Sequence, residues 1–267
     1  MSLWSRWRRT PAREFPGYAL LNGMQSLAAP PEVRAAEAEA LQSRHGDVVA
    51  RLSAAPFRPR DDAPLLTSIV TVKSLGFLTI GTPEGAVLLM FSSHLRAEDY
   101  RYSTRSAEGT QYLSSSANEA VDVLRRANEG GAALWTLDRC PRCESFATYN
   151  AGQFQTPEDL INVWAIPRAT TALREEIYVR SALNLAYSGN FSMAAYVTLC
   201  ALQHVTMEEP QLHLLLGEIS IARGHRAATH EAAAFLRFLG CAAIAADLEN
   251  DAELGSTDFS RITVPVA

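Results

Sequence analysis

Two cysteines separated by two residues, in Asp138-Arg139-Cys140-Pro141-Arg142-Cys143, are the residues of this chain best suited by type and spacing to chemistry. Such a pair can chelate one metal ion or close a small disulfide. Thiol redox chemistry needs the first cysteine at a helix N-terminus, where backbone amides stabilise the thiolate. The following Glu144-Ser145-Phe146-Ala147-Thr148-Tyr149-Asn150 is poor helix material. Zinc needs four ligands in a closed site, and Cys200 and Cys241 stand singly within helical patterns. Two protomers each giving Cys140 and Cys143 would complete a zinc set. A structural turn with reduced thiols, a zinc site and a redox pair all stay open.

Other familiar catalytic arrangements are missing from the sequence. His230-Glu231 begins like a zinc-protease helix, but Ala234 stands where the second histidine belongs. His204, His213 and His225 have no metal-ligand spacing to it. Gly81 to Gly85 lacks the lysine of a phosphate loop, and Ser114-Ser115-Ser116 reads as a helix start, because Ser116 and Glu119 have capping-box spacing. The acid pairs Asp61-Asp62, Glu98-Asp99 and Glu208-Glu209 read as solvated faces. The expectation is a protein without catalytic residues, and not an enzyme.

The elements that must position these residues fall into regions of different character. The chain has 267 residues, 48% of them hydrophobic, enough for a substantial core in one large or two small domains. Its positive charge is carried by arginine, with Lys73 the one lysine, a bias associated with a bacterial source; the net charge of −5 argues against general nucleic-acid binding. No apolar run reaches the roughly 20 residues of a membrane span. Residues 1–30 form a basic and aromatic tail carrying Trp4, Trp7, Arg6, Arg8 and Arg9, without the apolar stretch of a signal peptide, so the expected location is cytoplasmic.

From Pro31 to Ala54 the composition predicts a helix or two, with Gly46 as the place of any interruption. Pro56, Pro59 and Pro64 punctuate an extended connection. Ile69 to Val72, Phe77 to Ile80 and Ala86 to Phe91 read as strands, the last apolar on both faces and so central in a sheet. A helix capped by Ser92 or Ser93, a strand from Gly109 to Leu113, a helix from Ser116 to Asn128 and a strand from Ala132 to Leu137 complete an α+β domain spanning 31–155. The run Ala86-Val87-Leu88-Leu89-Met90-Phe91-Ser92-Ser93, with the elements after it, resembles the N-terminal domain of the SseB-like (enhanced serine sensitivity) family. That resemblance covers about residues 65–140 and implies a small α+β domain without an assigned catalytic site.

Thr156-Pro157 opens a helix that Pro167 should end, and Thr170 or Thr171 should begin a long helix through Tyr187. Beyond it the apolar residues Phe191, Ala194, Ala195, Thr198, Ala201 and Leu202, then Leu212, Leu215, Leu216 and Ile219, then Ala228, Ala232, Phe235 and Leu239 each form a helical stripe. Gly189 and Gly224 stand 35 positions apart between members of helix pairs. Gly189, Asn190, Phe191, Ala194, Ala201, Leu202, Leu216, Gly217 and Gly224 resemble the loop and packing positions of the tetratricopeptide repeat, whose period is about 34 residues. His213 stands at a usual aromatic or large position, and the loop from Val205 to Glu209 is longer than the family's. The resemblance implies an all-α helical-hairpin domain over 156–249. A final helix around Ile244 and Leu248 covers its end, and a polar, loosely held tail follows over 250–267, where Ile262, Val264 and Val266 alternate as an edge strand would.

The same resemblance implies a protein-protein interaction adaptor or assembly factor. Its partner would be another protein or a peptide rather than nucleic acid or an integral membrane segment, with a homodimer as one compatible assembly. Tyr178, Asn184, Tyr187, Asn190, His213 and Glu218 would lie on the partner-binding repeat surface. No cofactor is implied, apart from the zinc that Cys140 and Cys143 could hold. The alternative is a metal- or thiol-dependent protein built on that pair, with the helical domain as its targeting module.

Overall fold

In the computed structural model, which describes residues 27–54, 66–71, 76–104, 110–139 and 147–267, the elements in chain order are α1 (Pro31–Ala54), β1 (Leu66–Thr71), β2 (Thr79–Thr82), β3 (Gly85–Phe91), α2 (His94–Ser103), β4 (Thr110–Ser115), α3 (Ala117–Glu129), β5 (Leu134–Leu137), β6 (Tyr149–Asn150), α4 (Pro157–Tyr187), α5 (Phe191–His204), α6 (Pro210–Ala222), α7 (Arg226–Phe238) and α8 (Ala242–Leu254). The chain mixes α and β structure in two units. One holds the sheet with α2, α3 and the start of α4 to Ile161. The other holds α1 and everything from Asn162 onward.

In the sheet unit, strand order is β4-β1-β3-β5-β6, with β2 also paired to β3. The apolar β3 is central because Val87 to Phe91 are all buried, so neither face of that strand can meet water. Leu89 and Phe91 pack with Ala97 and Tyr100 of α2, and alternation turns Leu88 and Met90 to the opposite side. β1 and β2 both run antiparallel to β3, β1 beside its end (Thr67 opposite Phe91) and β2 beside its beginning (Thr79 opposite Leu88). β5 runs parallel to β3 on the other side, Val87 opposite Leu134. A parallel neighbour needs a crossover, and α2, β4 and α3 supply it.

Local signals set the ends of these elements. Ser93 Oγ accepts from Arg96 N–H at 3.1 Å at the start of α2. At α3, Glu119 N–H donates to Ser116 Oγ while the Glu119 carboxylate accepts from Ser116 N–H at 2.9 Å, the reciprocal capping box its spacing predicts. Ala120, Val123, Leu124 and Ala127 form its buried stripe.

In the helical unit the same turn recurs. Gly189 and Gly224 have φ of +76° and +70°, conformations a side chain would strain. In each case the residue after glycine donates back across the helix end, Asn190 N–H to Leu185 O at 2.9 Å and His225 N–H to Ser220 O at 2.8 Å. Cys241 N–H to Leu236 O at 2.8 Å repeats the pattern between α7 and α8. Asn190 Oδ1 accepts from Met193 N–H at 3.3 Å and caps α5. Small residues lie where helices cross: Ala194, Ala201 and Ala232 are fully buried, and the backbone of Gly217 lies against Leu248 of α8.

Three features depart from the expectations above. The helix α1 is unbroken at Gly46 and belongs to the helical unit rather than to the sheet. It lies antiparallel to α4, burying Ala40 and Val48 with Ala169 and Leu173. Arg44 forks onto the Glu176 carboxylate at 2.9 and 2.8 Å, and Arg174 Nε donates to Glu37 at 2.8 Å. Pro167 does not end a helix; it sits inside α4. A proline costs about 3 kcal/mol in a helix interior, but Trp164, Ala165, Ala169 and Leu173 make one continuous buried stripe across it. The carbonyl just before the proline carries side-chain contacts, with Ile166 O accepting from Thr170 Oγ1 at 3.2 Å and lying 3.2 Å from His45 Nε2. Thirdly, the segment after α8 is held in place, as described next.

Candidate functional site

Among the described residues, no group of three or more His, Cys, Asp and Glu side chains gathers as a metal-binding set. Cys140 and Cys143 lie outside the described residues, as do the Trp and Arg residues of the N-terminal tail. Cys200 is buried, and that burial pushes its thiol up to about 11, so it is an inert core thiol near neutrality. Cys241 is half-buried in the turn before α8.

Two positions before the cysteine pair, at the end of β5, stands Asp138. It has φ of +53°, the left-handed region for a non-glycine residue. Its carboxylate accepts from Ser92 N–H at 2.7 Å and Ser92 Oγ–H at 2.6 Å, and Arg96 lies 3.5 Å away. Its own N–H donates to Met90 O at 2.9 Å. Asp138 thereby ties together the C-terminal ends of the parallel strands β3 and β5. Aspartate tolerates this backbone better than most residues, and the bonds offset the remaining strain. Asp138→Ala is expected to cost about 2–3 kcal/mol through loss of charge-assisted bonds to a half-buried partner, and Asp138→Asn, which keeps an acceptor, about half as much. Urea unfolding of the two variants checks this; equal stabilities for both would contradict it.

The second place where side chains converge is the face of the helical unit formed by α4, α6 and α8. The segment after α8 crosses that face. Its backbone is gripped by helix side chains: Asp258 N–H donates to Glu218 Oε2 at 3.0 Å, Thr263 N–H to Gln211 Oε1 at 2.8 Å and Ala267 N–H to Glu176 Oε2 at 3.2 Å. Tyr187 Oη donates to Phe259 O at 3.3 Å. The Phe259 ring stacks on Phe191 with centroids 6.1 Å apart and meets Tyr187 edge-on at the same distance. Arg261 pairs with both Glu218 and Asp251. The side chain of Glu218 is fully buried, and that burial pushes its carboxyl above the usual carboxylate range, against the pull of Asp258 N–H and Arg261. Ile262 and Ala267 are buried.

The six residues assigned to a partner-binding surface separate accordingly. Asn184 is exposed, and Asn190 is exposed but occupied as the α5 cap. Tyr187 is 63% exposed, the largest exposure of any aromatic side chain among the described residues, even while it contacts Phe259. Tyr178 is buried, its hydroxyl donating to Glu37 at 3.2 Å; burial, with Glu37 adding to it, raises that phenol well above its ordinary value. His213 and Glu218 lie wholly inside the unit. His213 Nε2 is 2.8 Å from Met207 O and its ring stacks on Phe235 at 4.7 Å. It pins the long 205–209 loop instead of facing a partner.

Glu176, Arg44 and Arg261 escaped the reading of the sequence. For Glu176 and Arg44 no local signal exists, because the partners are 132 residues apart. For Arg261 one did: it is the single cation in residues 250–267, amid Asp251, Glu253 and Asp258 and directly before an apolar alternation. No known protein family, curated protein or solved structure matches this chain.

Proposed function

We propose that the protein is a non-enzymatic adaptor or assembly factor that binds another protein through its helical unit. The helical-hairpin reading is supported by the repeated glycine turns at Gly189 and Gly224 and by close helix crossing at Gly217. The observation that carries the proposal is the apolar edge at the α4–α5 turn. Tyr187 and Met193, 63% and 41% exposed, flank that turn in the chain, and Tyr187 meets Phe259, which stacks on Phe191. Large apolar side chains grouped at a surface mark interaction sites, and tyrosine at such an edge offers contact area at low entropic cost. No described helix is long and apolar enough to cross a membrane. The adaptor acts in the cytoplasm on this reading, and its ligand is a protein or peptide.

Affinity purification of the full chain from its native cell tests this. The Tyr187→Glu/Met193→Glu variant is expected to lose at least tenfold of the co-purifying partner, with helical circular dichroism unchanged. Equal recovery of the same partner by the folded variant would remove the edge from the interface and the proposal with it.

A further inference from the structure

The proposed adaptor role raises the question of what the α4–α6–α8 face recognises, and residues 258–267 show the chemistry that fits it. They form no helix beyond one short 3₁₀ turn and no described strand, so their backbone donors need partners from elsewhere. Glu218, Gln211 and Glu176 accept from three N–H groups spaced along the segment, and Tyr187 donates to a carbonyl. A grip of this kind reads main chain and is indifferent to sequence. Selectivity then rests on two side chains: Phe259 between Tyr187 and Phe191, and Arg261 between Glu218 and Asp251.

The acids make the second pocket demanding. Glu218 is fully buried, and Asp251 is close enough to share the same guanidinium. Two neighbouring carboxylates, one fully and one largely removed from water, need a cation, and Arg261 Nη2 donates to both. That cation comes from outside the helices. The link to it, Gly255-Ser256-Thr257, is exposed, with Gly255 at φ of +66°, so the segment can leave without unwinding α8.

We infer that the α4–α6–α8 face is a recognition site for an extended peptide bearing an aromatic residue and an arginine two positions after it, and that residues 258–267 occupy it as an intramolecular ligand. This rests on the adaptor reading and specifies its ligand. An external peptide of this class must displace the chain's own segment, so its apparent affinity falls by the fraction of time the face is covered. The covered state protects the acidic pocket until such a ligand arrives.

The test uses the full chain carrying Phe259→Ala and Arg261→Ala, and a fluorescent synthetic peptide with the sequence of residues 256–267. The peptide is expected to bind the variant saturably and at least tenfold more tightly than it binds the unaltered chain. The same peptide with Arg261→Ala should bind at least tenfold more weakly, and one with Arg261→Lys should fall between. A folded variant that binds no peptide, or binds both arginine-free and arginine-bearing peptides equally, overturns the inference. So does a variant of doubled mass in light scattering that excludes the peptide, which would mean exchange of segments between copies.

If the variant does not fold, the unaltered chain with a protease site inserted between Gly255 and Ser256 is cut after folding. Exchange of the cut segment for labelled peptide supports the inference, and loss of the segment with unfolding of the helices shows it to be core and overturns it. Failure here with the native partner still lost in the Tyr187→Glu/Met193→Glu variant leaves the adaptor reading standing. Failure of both measurements removes both.

Discussion

Acidification from pH 7 to about pH 4 is expected to remove about 3 kcal/mol of stability from the helical unit through His213 alone. Its imidazole is fully buried, and burial lowers it from its ordinary value to about 4, against a partial pull upward from the Met207 carbonyl. A shift of that size is worth about 3 kcal/mol. The unfolded chain takes up the proton near pH 6.5 and the folded one only near 4, so the contribution is complete above pH 6.5 and is lost as the pH falls through that interval. The neutral ring donates from Nε2 to Met207 O at 2.8 Å and lies flat on Phe235 at 4.7 Å; a second proton would bring an unpaired charge into that apolar contact.

His213→Gln isolates the effect, because the amide can still donate to Met207 O and does not titrate in this range. Urea unfolding at intervals between pH 7.5 and 4.5 should show the unaltered chain losing its advantage over the variant progressively below pH 6.5, by about 2 kcal/mol at pH 5. Parallel pH profiles for the two proteins would mean that the imidazole is protonated or hydrated in the folded state.

Gly217→Val is expected to destabilise the helical unit by about 3 kcal/mol, at the upper end of the range for overpacking. A Cβ at Gly217 would come within 2.9 Å of one Leu248 methyl carbon and closer still to the other. The far end of a leucine can ordinarily rotate away, but Leu248 is itself fully buried, as are Leu216 and Ile219 around the crossing, and a close-packed interior offers no alternative well. The decisive measurement is a double-mutant cycle. Leu248→Ala alone should cost about 2–5 kcal/mol by leaving a cavity, yet combined with Gly217→Val it should restore part of the loss, giving a coupling of about 1–2 kcal/mol. Additive costs would mean that α6 and α8 do not meet at these two residues.

The two effects have a common origin. His213 and Gly217 lie one helical turn apart on α6, and along this helix every residue from Leu212 to Ser220 is buried. Such a helix has no solvent face on which to place a polar residue. The histidine, Glu218 and Ser220 are each satisfied internally, by the Met207 carbonyl, by Arg261 with Asp258 N–H, and by the Leu216 carbonyl at 2.7 Å. A buried polar group without such a partner costs about 1–3 kcal/mol, which is why the 205–209 loop and the segment after α8 are ordered around α6.

What the sequence determined by itself is what a few neighbouring residues can settle. The run from Ala86 to Phe91 is apolar at every position and becomes the central strand; Ser116 and Glu119 cap a helix at the expected residue; Gly189 and Gly224 end helices through positive φ. These outcomes depend on side-chain period, local capping and backbone sterics, all acting within one or two turns. The glycine at 217 was also legible as a close-approach residue, although its partner was not.

Only the tertiary structure decided which faces meet. The sequence groups α1 with the strands that follow it, but Arg44 and Glu37 find Glu176 and Arg174 far along the chain, and that pairing assigns α1 to the helices. Pro167 reads locally as a stop, and the continuous buried stripe from Trp164 to Leu173 overrides it. The repeat resemblance puts His213 and Glu218 on the partner-binding surface; they are interior, with Met207 O and Arg261 reaching them. The polar segment 250–267 has too little apolar content to predict order, and it is ordered by acceptors on α4 and α6 that a local pattern does not contain. Charge pairing and backbone satisfaction are settled by whatever the fold brings within 3 Å, and sequence separation carries no record of that.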